Sequence, residues 1–179
     1  MKNNKNILKK AAAVELLACD VDGVLTRGEI IILNSGEEVK IWNVKDGMGY
    51  SLLKEFCPQI KTAWITGRSC RQVKRRAADM KIDFLVQGCL DKKNILLKIA
   101  AETGLKLSQT AYIGDDIADI AALNAAGLSV CPQDACGIVK KSADYISAFN
   151  GGQGTVREVI EIILQAKGAS EKILKKYDK

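Results

Sequence analysis

The sequence predicts an α/β fold, a three-layer, Rossmann-like parallel sheet with helices on both faces. Short apolar segments typical of buried strands alternate along the chain with longer segments whose apolar residues recur at helical spacing. The 179 residues are 47% hydrophobic and 27% charged, which suits one domain with a buried core and is unlike a disordered protein. We therefore treat residues 1–179 as a single domain.

The strands and helices follow from this alternation in chain order. In the last helix the apolar residues Val156, Val159, Ile160 and Ile163 recur at helical spacing, and Gly104 ends an earlier helix. The predicted strands are residues 16–21, 62–66, 84–86, 110–114, 128–131 and 145–146. The predicted helices are residues 47–56, 69–80, 92–102, 116–125 and 155–165.

Residues 25–44 interrupt this alternation with a predicted β-hairpin that protrudes from the sheet. Its two arms flank a turn at Asn34, Ser35 and Gly36. The first arm is apolar on both faces at residues 30–33, although one face of such a hairpin is usually solvated. We expect a second subunit to cover it. The alternative is that the hairpin packs back over its own domain.

The composition excludes several kinds of site. The chain contains no histidine, which excludes Ser-His-Asp and Cys-His catalysis and histidine-ligated zinc. Any metal is therefore expected to be a hard cation held by oxygen atoms. The six cysteines include no C-x-x-C pair, so we expect free thiols in a reducing compartment. The sequence has no membrane-length apolar segment and no signal-peptide core, so the expected location is the cytoplasm, with no membrane partner.

The net charge of +6 is concentrated at the two ends of the sequence. Residues 1–10 carry four lysines and no acid, and residues 167–179 carry five lysines against two acids, whereas residues 11–166 are close to neutral. We expect both ends to be solvated basic tails. The internal basic cluster within residues 71–76 lacks interleaved aromatic residues, so no nucleic-acid partner is expected.

Polar side chains fall where the predicted strands end or the helices begin. Asp20 and Asp22 share a face at the end of the first strand, because alternate residues of a strand point the same way. In an open α/β sheet, ligands bind beyond the carboxyl ends of the strands. The side chains expected to meet there are Asp20, Asp22, Thr66, Lys92, Asp115, Asp116 and Asp119.

Such a set of residues predicts Mg²⁺-dependent phosphoryl transfer through an aspartyl phosphate. Several carboxylates around one point repel each other unless a cation lies among them, and Mg²⁺ prefers oxygen ligands. A lysine, a hydroxyl and a helix amino terminus are donors that suit an anionic phosphoryl group. A carboxylate can attack phosphorus and divide a difficult hydrolysis into two easier steps.

The segment 20–24, with the sequence DVDGV, resembles the first motif of the haloacid dehalogenase-like phosphatases. The resemblance extends over residues 15–165 and rests on a complete set of motifs in the order that this superfamily has. It implies that Asp20 is the nucleophile and that Asp22 is the general acid and base.

The other motifs of this superfamily match single residues. Thr66 and Lys92 match the second and third motifs, and the resemblance implies that both contact the transferring phosphoryl group. Asp115 matches the fourth motif and would bind Mg²⁺ together with the Asp20 carboxylate and the Asp22 backbone carbonyl. The residues that would support these metal ligands are Asp116 and Asp119.

The spacing of the motifs leaves no room for a cap domain. Only 43 residues separate Asp22 from Thr66 and 25 separate Thr66 from Lys92, and the predicted hairpin, helices and strands already occupy them. A monomer would leave its site open to water, so a neighbouring subunit is expected to supply the lid.

Within this superfamily, the chain is similar to the capless 3-deoxy-D-manno-octulosonate 8-phosphate phosphatases and their sugar-acid relatives. The resemblance implies hydrolysis of that 8-phosphate for lipopolysaccharide precursors, in a homotetramer whose hairpins partly cover neighbouring sites. The matching segments are residues 20–26, 43–47, 65–68, 113–116 and 151–158. The residues that it implies bind substrate are Asp22, Asn43, Val44, Lys45, Asp46, Gly47, Thr66, Gly67, Arg68, Arg76 and Lys92.

Two departures from this pattern leave the substrate open. Ser51 stands where many of these phosphatases have a basic residue, and Gln153 stands where a lysine or arginine is common. Both favour an alternative substrate, a nonulosonate 9-phosphate. The alternatives from other classes are a phosphotransferase or mutase, a phosphoacceptor signalling domain and a non-catalytic assembly protein.

Overall fold

Eight strands and eight helices make up residues 2–178, the part of the chain that the computed structural model describes. The strands are β1 (Leu16–Cys19), β2 (Ile31–Ile32), β3 (Glu38–Val39), β4 (Lys61–Ile65), β5 (Phe84–Val86), β6 (Thr110–Ile113), β7 (Leu128–Cys131) and β8 (Tyr145–Ile146). The helices are α1 (Lys2–Ala12), α2 (Val44–Phe56), α3 (Arg71–Asp79), α4 (Lys92–Glu102), α5 (Ile120–Ala125), α6 (Gly137–Ser142), α7 (Thr155–Ala166) and α8 (Ser170–Tyr177). Two 3₁₀ turns, Leu107–Gln109 and Ile117–Asp119, precede β6 and α5.

The first strand of the sequence lies at the centre of a six-stranded sheet, whose order is β5-β4-β1-β6-β7-β8. Leu16 of β1 lies opposite Lys61 on one side and Thr110 on the other, and every pair in this sheet is parallel. Parallel neighbours need crossover connections, which the helices between them provide. The predicted parallel sheet is confirmed, and no cap domain interrupts it within the described residues.

Helices cover both faces of the sheet, and alternate side chains of β1 enter two separate cores. Leu17 and Cys19 pack with residues of α1, α2, α3 and α7, whereas Leu16 and Ala18 pack with residues of α4, α5 and α6. Because successive side chains of a strand point to opposite faces, a strand covered on both sides is apolar throughout. The predicted three-layer arrangement is therefore confirmed.

The two ends of the chain differ from the prediction of solvated tails. Residues 2–12 form α1, which packs against α7 through the buried side chains of Ile7 and Ala11. These two residues are one helical turn apart and share a face, a signal that the high lysine content obscures. Near the other end, α8 follows the buried Ala169, and Lys176 of α8 pairs with Glu55 of α2. Both ends therefore belong to the folded structure.

The hairpin is shorter than predicted. Only Ile31–Ile32 and Glu38–Val39 pair as strands, because the chain after β1 first turns back, with the amides of Leu25 and Thr26 donating to the Val21 carbonyl. The apolar residues of the first arm, residues 30–33, are exposed.

The remaining differences concern short segments. The helix α6 was not predicted, and the predicted helix over residues 116–125 divides into a 3₁₀ turn and α5. The six cysteines are free thiols, as predicted. None of the helices between residues 2 and 178 combines the length and the hydropathy that crossing a bilayer requires.

Candidate active site

An open cleft of about 310 Å³ lies at the carboxyl ends of β1, β4 and β6. Nine of the predicted site residues line it, which places the sequence motifs where a doubly wound sheet binds its ligands. They are Asp20, Asp22, Thr66, Gly67, Arg68, Lys92, Asp115, Asp116 and Asp119.

Asp20 lies immediately after β1 and is almost completely buried. Its amide donates to the Ile113 carbonyl at 2.9 Å, which extends the pairing of β1 with β6 and fixes the backbone. One carboxylate oxygen accepts from the Val21 amide at 2.6 Å, and the other lies 2.7 Å from Lys92 Nζ. Burial, and next the nearby Asp119 carboxylate, raise the pKa of Asp20 to about 6.

Lys92 connects two carboxylates beneath the cleft. It is the first residue of α4, whose start is capped by the Asp91 side chain, and its Nζ lies 2.7 Å from both Asp20 Oδ2 and Asp119 Oδ1. Burial disfavours the charged ammonium, but the two carboxylates outweigh this effect and raise the pKa of Lys92. Lys92 is therefore a fixed cation beside Asp20.

Asp119 is fully buried and organises the turn after β6. Its Oδ2 accepts from the amides of Asp115 and Asp116 at 3.1 and 3.3 Å. Its Oδ1 accepts from Lys92 and from the hydroxyl of Tyr112, the latter at 2.8 Å. Sequence reasoning missed Tyr112, which is one of the apolar-patterned residues of a buried strand.

Asp115 supplies an acceptor that the described residues do not satisfy. Its Oδ1 is buried and has no hydrogen-bond partner between residues 2 and 178, and burial followed by repulsion from Asp20 and Asp119 raises its pKa to about 8. Carboxylate oxygens of Asp20, Asp115 and Asp119 all lie within 4.8 Å of one another. Three clustered carboxylates and an unsatisfied buried oxygen suit a hard divalent cation, so the residues fit the predicted Mg²⁺.

Gly23 allows this close approach of the two acidic loops. Its φ is +89°, and a Cβ built on it would lie 2.0 Å from Asp115 Oδ2. The glycine in the DVDGV segment is therefore required both for its left-handed backbone and for the space beside Asp115.

Asp22 contacts Lys40, a hairpin residue that was not predicted to belong to the site, and Arg68, which was. Lys40, just after β3, pairs with Asp22 Oδ1 and lies 2.8 Å from Glu38 Oε1. Arg68 donates to Glu38 Oε2 at 2.7 Å, and its Nε lies 3.9 Å from Asp22 Oδ2. The signal in the sequence was the alternation of Lys40 with Val39 and Ile41, which places Lys40 on the polar face of its arm.

Thr66 directly follows β4, the strand that runs beside β1. Its amide donates to the Val86 carbonyl at 3.0 Å, and its hydroxyl accepts from the Arg68 amide at 3.2 Å. The buried hydroxyl is thus fixed at the floor of the cleft, next to Gly67.

The other predicted substrate-binding residues lie outside this cleft. Asn43, Gly47 and Arg76 line a second, smaller recess together with Trp42 and Trp64, whose rings stack at 5.8 Å. The residues with exposed positions at the start of α2 are Val44 and Lys45.

Asp46 also lines the smaller recess, but it is buried against the start of α7. Its Oδ1 accepts from the Arg157 amide at 2.8 Å, so the carboxylate caps that helix. Ser51, the first departure from the family pattern, donates its hydroxyl to the Gly47 carbonyl at 3.2 Å within α2.

Comparison with known proteins agrees with this geometry. The family profile of the haloacid dehalogenase-like hydrolases matches residues 81–160. The chain is 39% identical over 166 residues to 3-deoxy-D-manno-octulosonate 8-phosphate phosphatase KdsC of Yersinia pestis, covering 93% of this chain and 88% of that protein. This chain belongs to the KdsC family of haloacid dehalogenase-like hydrolases.

Solved structures of KdsC relatives have the same fold. The Moraxella catarrhalis 3-deoxy-D-manno-octulosonate 8-phosphate phosphatase, in complex with magnesium ion, phosphate ion and KDO, matches with a TM-score of 0.92 and 39% identity, covering 96% of this chain and 97% of that chain. The cobalt-bound Haemophilus influenzae phosphatase matches with a TM-score of 0.85 and 36% identity, covering 90% and 94%. Membership of the KdsC family makes the chain a phosphatase and argues against the signalling and assembly alternatives.

Proposed function

We propose that this protein hydrolyses 3-deoxy-D-manno-octulosonate 8-phosphate to the sugar acid and inorganic phosphate, in a Mg²⁺-dependent reaction. The observation that carries the proposal is the cluster of Asp20, Asp115 and Asp119 carboxylates in an open cleft, where the buried Lys92 pairs with Asp20 and Asp119. The KdsC relatives support the choice of substrate, since they are named for hydrolysis of this compound.

The proposed reaction uses two aspartates in two steps. Asp20 attacks phosphorus while the bond from phosphorus to the sugar oxygen breaks, and Asp22 gives its proton to that oxygen. A water molecule then attacks the phosphorus of the aspartyl phosphate, Asp22 takes the proton from the water, and the bond to Asp20 breaks. Phosphate leaves, and both aspartates return to their starting states.

The proposed metal ligands are the Asp20 and Asp115 carboxylates and the Asp22 backbone carbonyl, supported by Asp116 and Asp119. When bound, Mg²⁺ offsets the negative charge of the phosphoryl oxygens and makes phosphorus more electrophilic. Lys92 and the Thr66 hydroxyl bind phosphoryl oxygens by charge and hydrogen bonding. Their fixed positions support this assignment, because donors that need no rearrangement stabilise developing charge best.

The sugar-acid part of the substrate is proposed to contact residues around the cleft. Arg68 and Gly67 lie in the cleft itself, and Arg76 lies in the neighbouring recess. A guanidinium suits the carboxylate of a sugar acid, since it can donate two parallel hydrogen bonds. The residues at the start of α2 proposed to complete this surface are Asn43, Val44, Lys45, Asp46 and Gly47.

The proposed active form is a cytoplasmic homotetramer of single-domain subunits. The exposed apolar side chains of Ile30, Ile32 and Leu33 support it, because a contiguous apolar surface on a hairpin favours an interface. The cleft is open, so a neighbouring hairpin would restrict the access of water to it.

Phosphate release in the presence of Mg²⁺ tests the proposal. The substrates compared are 3-deoxy-D-manno-octulosonate 8-phosphate, a nonulosonate 9-phosphate and common sugar phosphates. We expect a kcat/KM for the first that exceeds the others by at least about tenfold, since a lost charged contact in a mismatched substrate costs that much or more. A preference for the nonulosonate, favoured by Ser51, would keep the mechanism and change the substrate. No turnover of any substrate would contradict the proposal.

A further inference from the structure

Lys40 is a buried cation that contacts two carboxylates of the described chain. Its side chain is only 1% exposed, and its ammonium lies between Asp22 Oδ1 and Glu38 Oε1. Glu38 is in turn held by Arg68. Burying a lysine side chain costs conformational entropy, because its rotatable bonds become fixed. The position of the Lys40 ammonium is therefore set by these contacts and not by solvent.

The two oxygens of the Asp22 carboxylate have different surroundings. Oδ1 accepts from Lys40, whereas Oδ2 is buried and accepts no hydrogen bond from the described part of the chain. Asp22 lines the cleft, and among residues 2–178 Lys40 does not. Lys40 therefore reaches the cleft directly through Asp22, and indirectly through Glu38 and its partner Arg68.

We propose that Lys40 is a positioning residue, which anchors Asp22 by Oδ1 so that Oδ2 is directed at the oxygen that gains or loses the proton. This inference rests on the proposed function, in which Asp22 is the general acid and base. The hairpin then supports chemistry in its own subunit, through its polar face, while its apolar face remains available to other subunits. The carboxylate is fixed before substrate binds, which removes a rotational search from both proton transfers.

A substrate with a good leaving group distinguishes the positioning role of Lys40 from a general loss of structure in the active site. Nitrophenolate leaves p-nitrophenyl phosphate without needing a proton, whereas the alkoxide of a sugar phosphate requires one. In Lys40→Met, we expect a burst of nitrophenol at close to the wild-type rate, followed by phosphate release slowed about 10²-fold, because only the water-attack step needs Asp22. With a sugar phosphate, the same variant should lose about 10² in kcat and show no burst.

Three further variants control the experiment. Lys40→Arg keeps a donor beside Asp22 and should recover part of the lost turnover. Glu38→Gln leaves Lys40 in place but removes one of its two charged partners, so it should lose less turnover than Lys40→Met. Both keep the inference testable if Lys40→Met fails to fold. Lys74→Met, on the exposed face of α3, should behave as wild type.

The outcomes distinguish the inference from the proposed function. Two results would overturn the positioning role alone. One is wild-type turnover of both substrates in Lys40→Met. The other is a loss of burst and turnover that is as large in Lys40→Arg as in Lys40→Met. Absence of Mg²⁺-dependent phosphate release in the wild-type protein would instead overturn the proposed function.

Discussion

Buried carboxylates at the cleft carry an energetic cost in the absence of a cation. Burial raises the pKa of Asp20 to about 6 and that of Asp115 to about 8, and each of these shifts means that the folded protein disfavours the charged form. Lys92 offsets part of the charge, since it contacts Asp20 and Asp119. Reactivity and stability are therefore in conflict at these residues, as they often are in active sites.

Replacing Asp20 separates the two effects. Asp20→Asn removes the proposed nucleophile but keeps the size of the side chain and its acceptor for the Val21 amide. We expect phosphate release to fall by about 10⁴-fold or more. Thermal unfolding should occur at the same or a higher temperature, because one buried negative charge is gone. Residual activity within tenfold of wild type would remove Asp20 from the role of nucleophile.

Gly23 provides the space between the loop after β1 and Asp115. Gly23→Ala would place a Cβ where Asp115 Oδ2 now lies, so Asp115 must move and we expect at least about a 10²-fold loss of activity. Gly104→Ala is a matched control, since its φ is also positive, at +70°, and no atom within the described chain lies within 4 Å of the added Cβ. It should cost only about 1–2 kcal/mol of stability and leave turnover unchanged. Equal activity of the two variants would contradict the packing argument.

At the scale of elements, Asp46 joins the start of α2 to the start of α7. Burial raises its pKa to about 6, against the effect of the Arg157 amide, and its Oδ2 has no hydrogen-bond partner within residues 2–178. The folded state therefore binds a proton at Asp46 more tightly than the unfolded state does. The resulting stabilisation is present below about pH 4 and is lost as the pH rises through about 6.

Asp46→Asn tests this contact, because an amide can still accept from Arg157 but does not titrate. As the pH rises from about 4 to about 7, the free energy of unfolding of the wild type should fall relative to the variant by about 2–3 kcal/mol. Urea unfolding of both proteins at several pH values measures the difference. A difference that is constant with pH would show that Asp46 does not titrate in this range.

Some elements of the fold could be predicted from the sequence, and others could not. The strands β5, β7 and β8 have the predicted bounds, because continuous apolar segments with turn residues on both sides leave few alternatives. The helix α1 was missed because charged residues dominate its composition. Its two buried residues are buried only by packing against α7, which the local sequence does not reveal. The hairpin arms were predicted too long, since apolar character alone does not reveal that Asn43 caps α2 through its side chain.

For the whole molecule, the motif residues were predictable and their supports were not. Strand ends converge on one edge of a parallel sheet, so Asp20, Thr66 and Asp115 could be placed together from sequence order. Lys40 reaches the site from the hairpin, outside the motifs, and Tyr112 lies on the strand just before the fourth motif, where its apolar pattern concealed its hydrogen bond to Asp119. Arg76 lines the neighbouring recess, and its contact with substrate stays a prediction.

The proposed assembly predicts a joint loss of oligomer and activity. Ile30→Ser combined with Ile32→Ser removes apolar side chains that are 56% and 67% exposed in the single chain, so the fold of the subunit should be unaffected. We expect a smaller species by light scattering and a lower kcat/KM, because the cleft loses its cover. An unchanged tetramer with unchanged activity would exclude the hairpin as both interface and lid.

The central place of β1 has a consequence for how the protein is made. Leu16 pairs with Lys61 and with Thr110, so β1, which is synthesised before β4 and β6, acquires its second neighbour only once β6 has been made. Until then, β1 presents an apolar, unpaired edge to the cell. A nascent chain that stops before β6 has Asp20 but lacks both the Ile113 carbonyl that accepts from its amide and the Asp115 carboxylate, so the site cannot be complete before the sheet is.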